Sequence, residues 1–176
     1  MDTSLEEIVM RACKNEIDYS SRFEDKIIYI QKSAEEYFET VIDIDNDMNY
    51  SASKKLIFYM DKTSKMLENS TNFTSENRWQ NADHIVEVLI SSLGNFYWSR
   101  IIGKKKILGI TLRKNATRTE RFYSSVLQNK TRIDEFIERL GFQNIPDPLL
   151  WKTVPEIKTH LEGKPATVFD IIFSEI

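Results

Sequence analysis

Ser92-Leu93-Gly94-Asn95-Phe96-Tyr97-Trp98-Ser99-Arg100-Ile101-Ile102-Gly103 is the stretch on which the reading of the fold turns. It follows a run in which Trp79, Ala82, Ile85, Val86, Leu89 and Leu93 recur at helical spacing. Gly94 and Asn95 suit the C-terminal stop of that helix. A new helix then starts near Tyr97 and carries Trp98 and Arg100 in its opening turn. The free amides of a helix start favour anions, and a guanidinium binds a carboxylate through paired hydrogen bonds, so an acidic side chain of a partner would be held there.

Upstream, residues 4–19 read as a helix: Leu5, Ile8, Val9, Ala12 and Cys13 form a stripe, Thr3 or Ser4 supplies the N-cap, and Glu6 and Glu7 fill the first turn. A second helix covers residues 24–42, with Ile27, Ile30, Ala34, Phe38 and Val41 on one side. A third runs over residues 51–68, where Leu56, Tyr59, Met60, Thr63 and Leu67 share a face. The fourth, already described, spans 76–93. Downstream of the Tyr97 helix come two more, 117–129 and 131–140, the latter closed by Gly141. Pro146, Pro148 and Pro155 then punctuate a tail of short helices ending at Ile176. Periodicity thus predicts an all-α bundle of seven to eight helices in one domain over residues 1–176, with no sheet.

Composition narrows the function classes. The 176 residues are 41% hydrophobic and 29% charged, ordinary for a globular domain with a core of its own. Cys13 is the sole cysteine, so an internal disulfide is excluded and a reducing, cytoplasmic setting is expected. Neither a signal peptide nor a run of about 20 apolar residues is present, so a soluble protein without a transmembrane anchor is expected. Two histidines, His84 and His160, and one cysteine are too few for a zinc site, and no metal or cofactor is expected. Asp43-Ile44-Asp45-Asn46-Asp47 resembles half a calcium loop but lacks its glycine and closing glutamate. With no glycine-rich phosphate loop either, the chain reads as a non-enzyme.

Charge is unevenly spread. Residues 1–50 carry thirteen acids and five bases, whereas residues 100–132 carry ten bases and one acid. The segment from Arg100 to Arg132, with Lys104, Lys105, Lys106, Arg113, Lys114, Arg118 and Arg121, therefore supports an alternative reading as a basic helical nucleic-acid-binding protein.

Three segments carry a family resemblance over residues 51–145. Trp98-Ser99-Arg100-Ile101-Ile102 resembles the first homology motif, Asn-Trp-Gly-Arg-Ile-Val, of the Bcl (B-cell lymphoma-2-like) apoptosis regulators. The second motif is similar to residues 136–144, Phe-Ile-Glu-Arg-Leu-Gly-Phe-Gln-Asn, and the third to residues 56–61, Leu-Ile-Phe-Tyr-Met-Asp. Tyr97, Ser99, Met60 and Phe136 depart from the pattern, as in a divergent, virus-encoded member, and residues 20–50 have no counterpart.

What the resemblance implies is an anti-apoptotic protein that captures the homology-three helix of pro-apoptotic partners in a hydrophobic groove. Leu56, Tyr59, Met60, Thr63, Leu67, Ile85, Val86, Leu89, Leu93 and Tyr97 would line that groove, and Arg100 would pair with the partner's Asp. Leu89 would face the ligand and Trp98 the core. A homodimer and a peripheral mitochondrial association are left open by the same resemblance.

Overall fold

The stretch over residues 92–103 is the turn and second strand of a hairpin, not a helix junction. In the computed structural model, which describes residues 4–17, 20–45, 52–61, 65–66, 78, 81–103, 116–159 and 163–174, it joins two strands of a central sheet. The described residues form five helices and seven strands in two sheets, an α/β fold that replaces the expected all-α bundle.

In chain order the elements are α1 (Leu5–Ala12), α2 (Ser21–Phe38), β1 (Ile42–Asp45), β2 (Ser53–Met60), β3 (His84–Ser91) and β4 (Phe96–Gly103). They continue with α3 (Ala116–Arg139), β5 (Gln143–Asn144), α4 (Asp147–Leu150), β6 (Thr153–Lys158), β7 (Pro165–Thr167) and α5 (Val168–Phe173). The main sheet has the order β1-β2-β3-β4-β5; the first four strands are antiparallel, and β5 runs parallel to β4. β6 and β7 form a separate antiparallel pair.

Three expected helices are therefore strands: the one over 51–68 contains β2, the one over 76–93 ends in β3, and the Tyr97 helix is β4. The expected pair 117–129 and 131–140 is one continuous helix, α3, and the helix over 4–19 is only α1. The physical reason lies in burial on both faces. On β3, Ile85, Val86, Val88, Leu89 and Ile90 are all at most 5% exposed, so the run shows no in–out alternation. A continuous apolar run matches helical spacing as easily as strand spacing, and only its β-branched content favours the strand.

One face of the sheet meets α2 and α3. Register places Phe58 beside Val86 and Val86 beside Ile101, and the row of Leu56, Phe58, Met60, Val86, Val88, Ile90 and Tyr97 packs in one core. The helices contribute Phe23, Ile27, Ile30, Ala34 and Phe38 from α2, and Val126, Ile133, Phe136 and Ile137 from α3. Gly141, in the left-handed region at φ 88°, ends α3 as its residue type requires. Beneath α3 lies a polar seam: Ser99 Oγ donates to Asp134 Oδ1 at 2.5 Å, Lys130 donates to Asp134 Oδ2 at 2.6 Å, and the Tyr97 hydroxyl donates to Glu138 at 3.1 Å.

The opposite face is covered at one end by a second core. Leu89, Leu93 and Phe96 pack there with Val9 and Ala12 of α1, Leu149 and Leu150 of α4, and Val168, Ile171, Ile172 and Phe173 of α5. α1 begins with a reciprocal capping box between Ser4 and Glu7. α5 is tied to the start of β2 by the Ser53 hydroxyl, which donates to the Phe173 carbonyl at 2.7 Å. The β3–β4 turn needs its glycine: a Cβ at Gly94 would lie 2.5 Å from the buried Phe96 ring.

The free edge of β1 is occupied by side chains of α2. Gln31 Nε2 donates to the Ile42 carbonyl, and the Ile42 amide donates to Glu35 Oε1 at 3.1 Å. Helix side chains thus take the hydrogen bonds that a further strand would make.

Candidate partner-binding face

On the sheet face away from α2 and α3, strand alternation lines up charged side chains across four strands. Glu87 of β3 stands opposite Arg100 of β4, and Asp45 of β1 opposite Lys55 of β2. Arg100 Nε donates to Glu87 Oε2 at 2.7 Å, and Lys55 Nζ lies 2.7 Å from Asp45 Oδ2 and 3.7 Å from Glu87 Oε1. Glu87 is 6% exposed, a depth that a carboxylate tolerates only with such partners. Further along the face, Asp43 is ion-paired with Arg78 and accepts the Tyr59 hydroxyl at 2.8 Å. Burial, and then the adjacent Asp43, raise the Tyr59 hydroxyl pKa well above its ordinary value. Asp43 and Asp45, read above against a calcium loop, are strand residues engaged with cations of this chain.

Beside this lattice runs an arc of aromatic rings. The Arg100 guanidinium carbon lies 5.6 Å from the Trp98 ring centre, a cation–π contact that follows from their i, i+2 placement on one face of β4. Trp98 meets Phe169 of α5 edge-on at 5.3 Å, and Phe169 meets Trp151 at 5.2 Å. Trp98 Nε1 donates to Asp147 Oδ1 at 3.0 Å, which fixes the indole. Trp151 is 57% exposed and the Arg100 side chain 48%. Only the Nε of that guanidinium is hydrogen-bonded among the described residues.

The residues expected to line a single groove do not converge. Leu56, Met60, Val86 and Tyr97 are buried beneath α2 and α3. Tyr59 and Ile85 lie on the opposite face in a small cluster with Ala82, while Leu89 and Leu93 belong to the core under α1 and α5. Leu89 is 5% exposed, so it faces no ligand, and Trp98 is half-buried in the surface arc rather than sealed in the core. Thr63 and Leu67 lie outside the described residues, as do Trp79, His160, Lys104, Lys105 and Lys106. Of the expected set described here, Arg100 alone is exposed. Second-motif residues Phe136 and Ile137 are core positions of α3.

Sequence reading missed Trp151, Phe169, Glu87 and Lys55. Glu87 had a signal, a lone acid inside an apolar run, and Trp151 had another, a large ring in a short segment bounded by Pro148 and Pro155. Among the described residues no cluster of His, Cys, Asp and Glu could hold a metal ion, and no helix is long and apolar enough to cross a membrane. Comparisons with protein-family models, curated proteins and solved structures find no match.

Proposed function

We propose that this protein is a non-catalytic binding module that holds a protein partner against the arc formed by Arg100, Trp98, Phe169 and Trp151. The observation that carries the reading is a half-exposed Trp151 braced by Phe169 next to a half-exposed Arg100. An exposed Trp held by the C-terminal elements beside an exposed Arg of the sheet presents the side-chain types that dominate interface energetics, because each removes much area from water at little further loss of freedom. Charge on this face argues for protein over nucleic acid. Among the described residues, Lys55, Arg78 and Arg100 are interleaved with Asp43, Asp45 and Glu87, which leaves no continuous positive track for phosphates there. Lys130 and Arg132, at the described end of the basic segment, are engaged with Asp134 and the Phe38 ring.

The all-α bundle whose helices would frame such a groove is replaced, among the described residues, by the α/β fold, so the partner reading rests on the sheet face and the C-terminal elements beside it. The test is a photo-crosslinking residue at position 151, with position 29 as control, since Tyr29 is 64% exposed on α2. A discrete protein adduct from position 151 alone is the expected outcome. A nucleic-acid adduct, or equal labelling from both positions, refutes the reading. Titration with homology-three peptides, followed by Trp fluorescence at about 50 and about 200 mM salt, tests the helix-binding form of it: phosphate-dominated binding collapses over that range and apolar docking does not.

A further inference from the structure

A cavity of about 370 Å³ opens between α2 and the β1–β2 edge of the sheet, lined by Glu24, Ile27, Ile28, Gln31, Ile44 and Lys54. Its helix wall is one stripe of α2, since Glu24, Ile27, Ile28 and Gln31 follow the i, i+3, i+4, i+7 pattern. Lys54 is the anomaly. Alternation along β2 puts it on the same face as Leu56, Phe58 and Met60, whose side chains are apolar and fully buried against the helices.

Its side chain is 13% exposed, yet its ammonium makes no hydrogen bond among the described residues. The nearest acid, Glu24, stands 3.8 Å away and is itself 65% exposed. At that distance the pair is coulombic only, and the ammonium, which is not itself fully buried, keeps its hydrogen-bonding capacity at the solvent-reached part of the cavity. Gln31 donates one amide hydrogen to the Ile42 carbonyl, and its side-chain oxygen accepts no hydrogen bond among the described residues. The cavity therefore offers one ammonium donor, two acceptors from Glu24 and Gln31, and an apolar wall of Ile27, Ile28 and Ile44.

We propose that this cavity binds a small zwitterion with an aliphatic side chain, an α-amino acid of the branched type. The ligand carboxylate takes Lys54, its ammonium takes Glu24 and the Gln31 oxygen, and its side chain lies on the isoleucines. Site and ligand each sum to zero charge, so binding leaves no charge unmatched in a partly buried space. The site is separate from the aromatic arc and does not depend on it.

The experiment follows the methyl resonances of Ile28 and Ile44 while the intact protein is titrated with L-leucine, 4-methylpentanoate, isopentylamine and glycine. L-Leucine is expected to shift both methyls at concentrations up to roughly 10 mM. Each truncated probe should bind at least roughly tenfold more weakly, because a site built around a polar group rejects the analogue that lacks it. Lys54→Met and Glu24→Gln should each lose leucine binding at an unchanged melting temperature, and Lys54→Arg should retain it. No shift with L-leucine overturns the proposal. Equal binding of 4-methylpentanoate also overturns it, by marking a plain anion site. Should Lys54→Met fail to fold, the exposed Glu24→Gln variant decides the matter alone.

Discussion

Removing Arg100 should cost more stability than neutralising Glu87, although the two form one pair. In Arg100→Ala the Glu87 carboxylate stays in place with its side chain 8% exposed, and its remaining cation is Lys55 at 3.7 Å, already held by Asp45 at 2.7 Å. Stripping one partner from a buried pair costs roughly 3–5 kcal/mol. Because the Arg100 side chain is 48% exposed, water already reaches the outer side of this pair, and about 2 kcal/mol is expected. For a chain of this size that lowers Tm by about 4–8 °C. Glu87→Gln keeps the shape and an acceptor for Arg100, so about 1 kcal/mol should be lost. The double variant has no stranded carboxylate and should fall short of the summed losses by about 1 kcal/mol. Urea midpoints at constant slope measure all three. Strict additivity, or an Arg100→Ala protein as stable as wild type, would show that solvent already neutralises Glu87 and that the pair is a surface contact.

Other perturbations test separate parts of the fold. Glu39 closes α2 at φ 51°, a left-handed conformation that disfavours a side chain, so Glu39→Gly should stabilise by about 0.5 kcal/mol and raise the thermal midpoint slightly. Loss of stability in that variant would mean the side chain makes up for the strain. Ile137, fully buried where α3 meets the sheet, should cost about 2–5 kcal/mol as Ile137→Ala, and a smaller drop in denaturation midpoint would place α3 off the sheet. Burial raises the Cys13 thiol pKa from 9.0 to about 11, which favours the neutral form in the folded state. Its contribution to stability is therefore complete below pH 9.0 and lost as pH rises towards about 11. Stability curves for wild type and Cys13→Ala should diverge over that window, and parallel curves would count against a buried thiol.

Where the chain is amphipathic, its elements were legible. The α2 stripe of Ile27, Ile30, Ala34 and Phe38 is buried as its spacing requires, Ser4 and Glu7 cap α1, and Gly141 ends α3. Where both faces are buried, the pattern that separates a strand from a helix is erased. β2 and β3 therefore passed for helices, although Ile85, Val86, Val88 and Ile90 carried a β-branched signal. Arg100 and Trp98 were recognised as neighbours of functional interest, yet the geometry that couples them is the two-residue repeat of a strand and not a helix start. Trp151 and Phe169 join them through tertiary packing of the C-terminal elements, which no local spacing encodes.

The α2 side chains on the rim of β1 have a consequence for how this protein fails. Two of the hydrogen-bonding positions that could template a foreign strand are filled by Gln31 and Glu35, so the native molecule presents a blunted end to other copies of itself. That protection is only as durable as the docking of one helix. A fluctuation that lifts α2 bares the rim of β1 and the apolar row behind it in the same motion, because Ile27, Ile30, Ala34 and Phe38 leave the sheet together. Fibrillar growth would then start from a species that has lost α2 while its sheet is still intact. Solubility on storage would follow the free energy of that partial opening more closely than the global unfolding free energy.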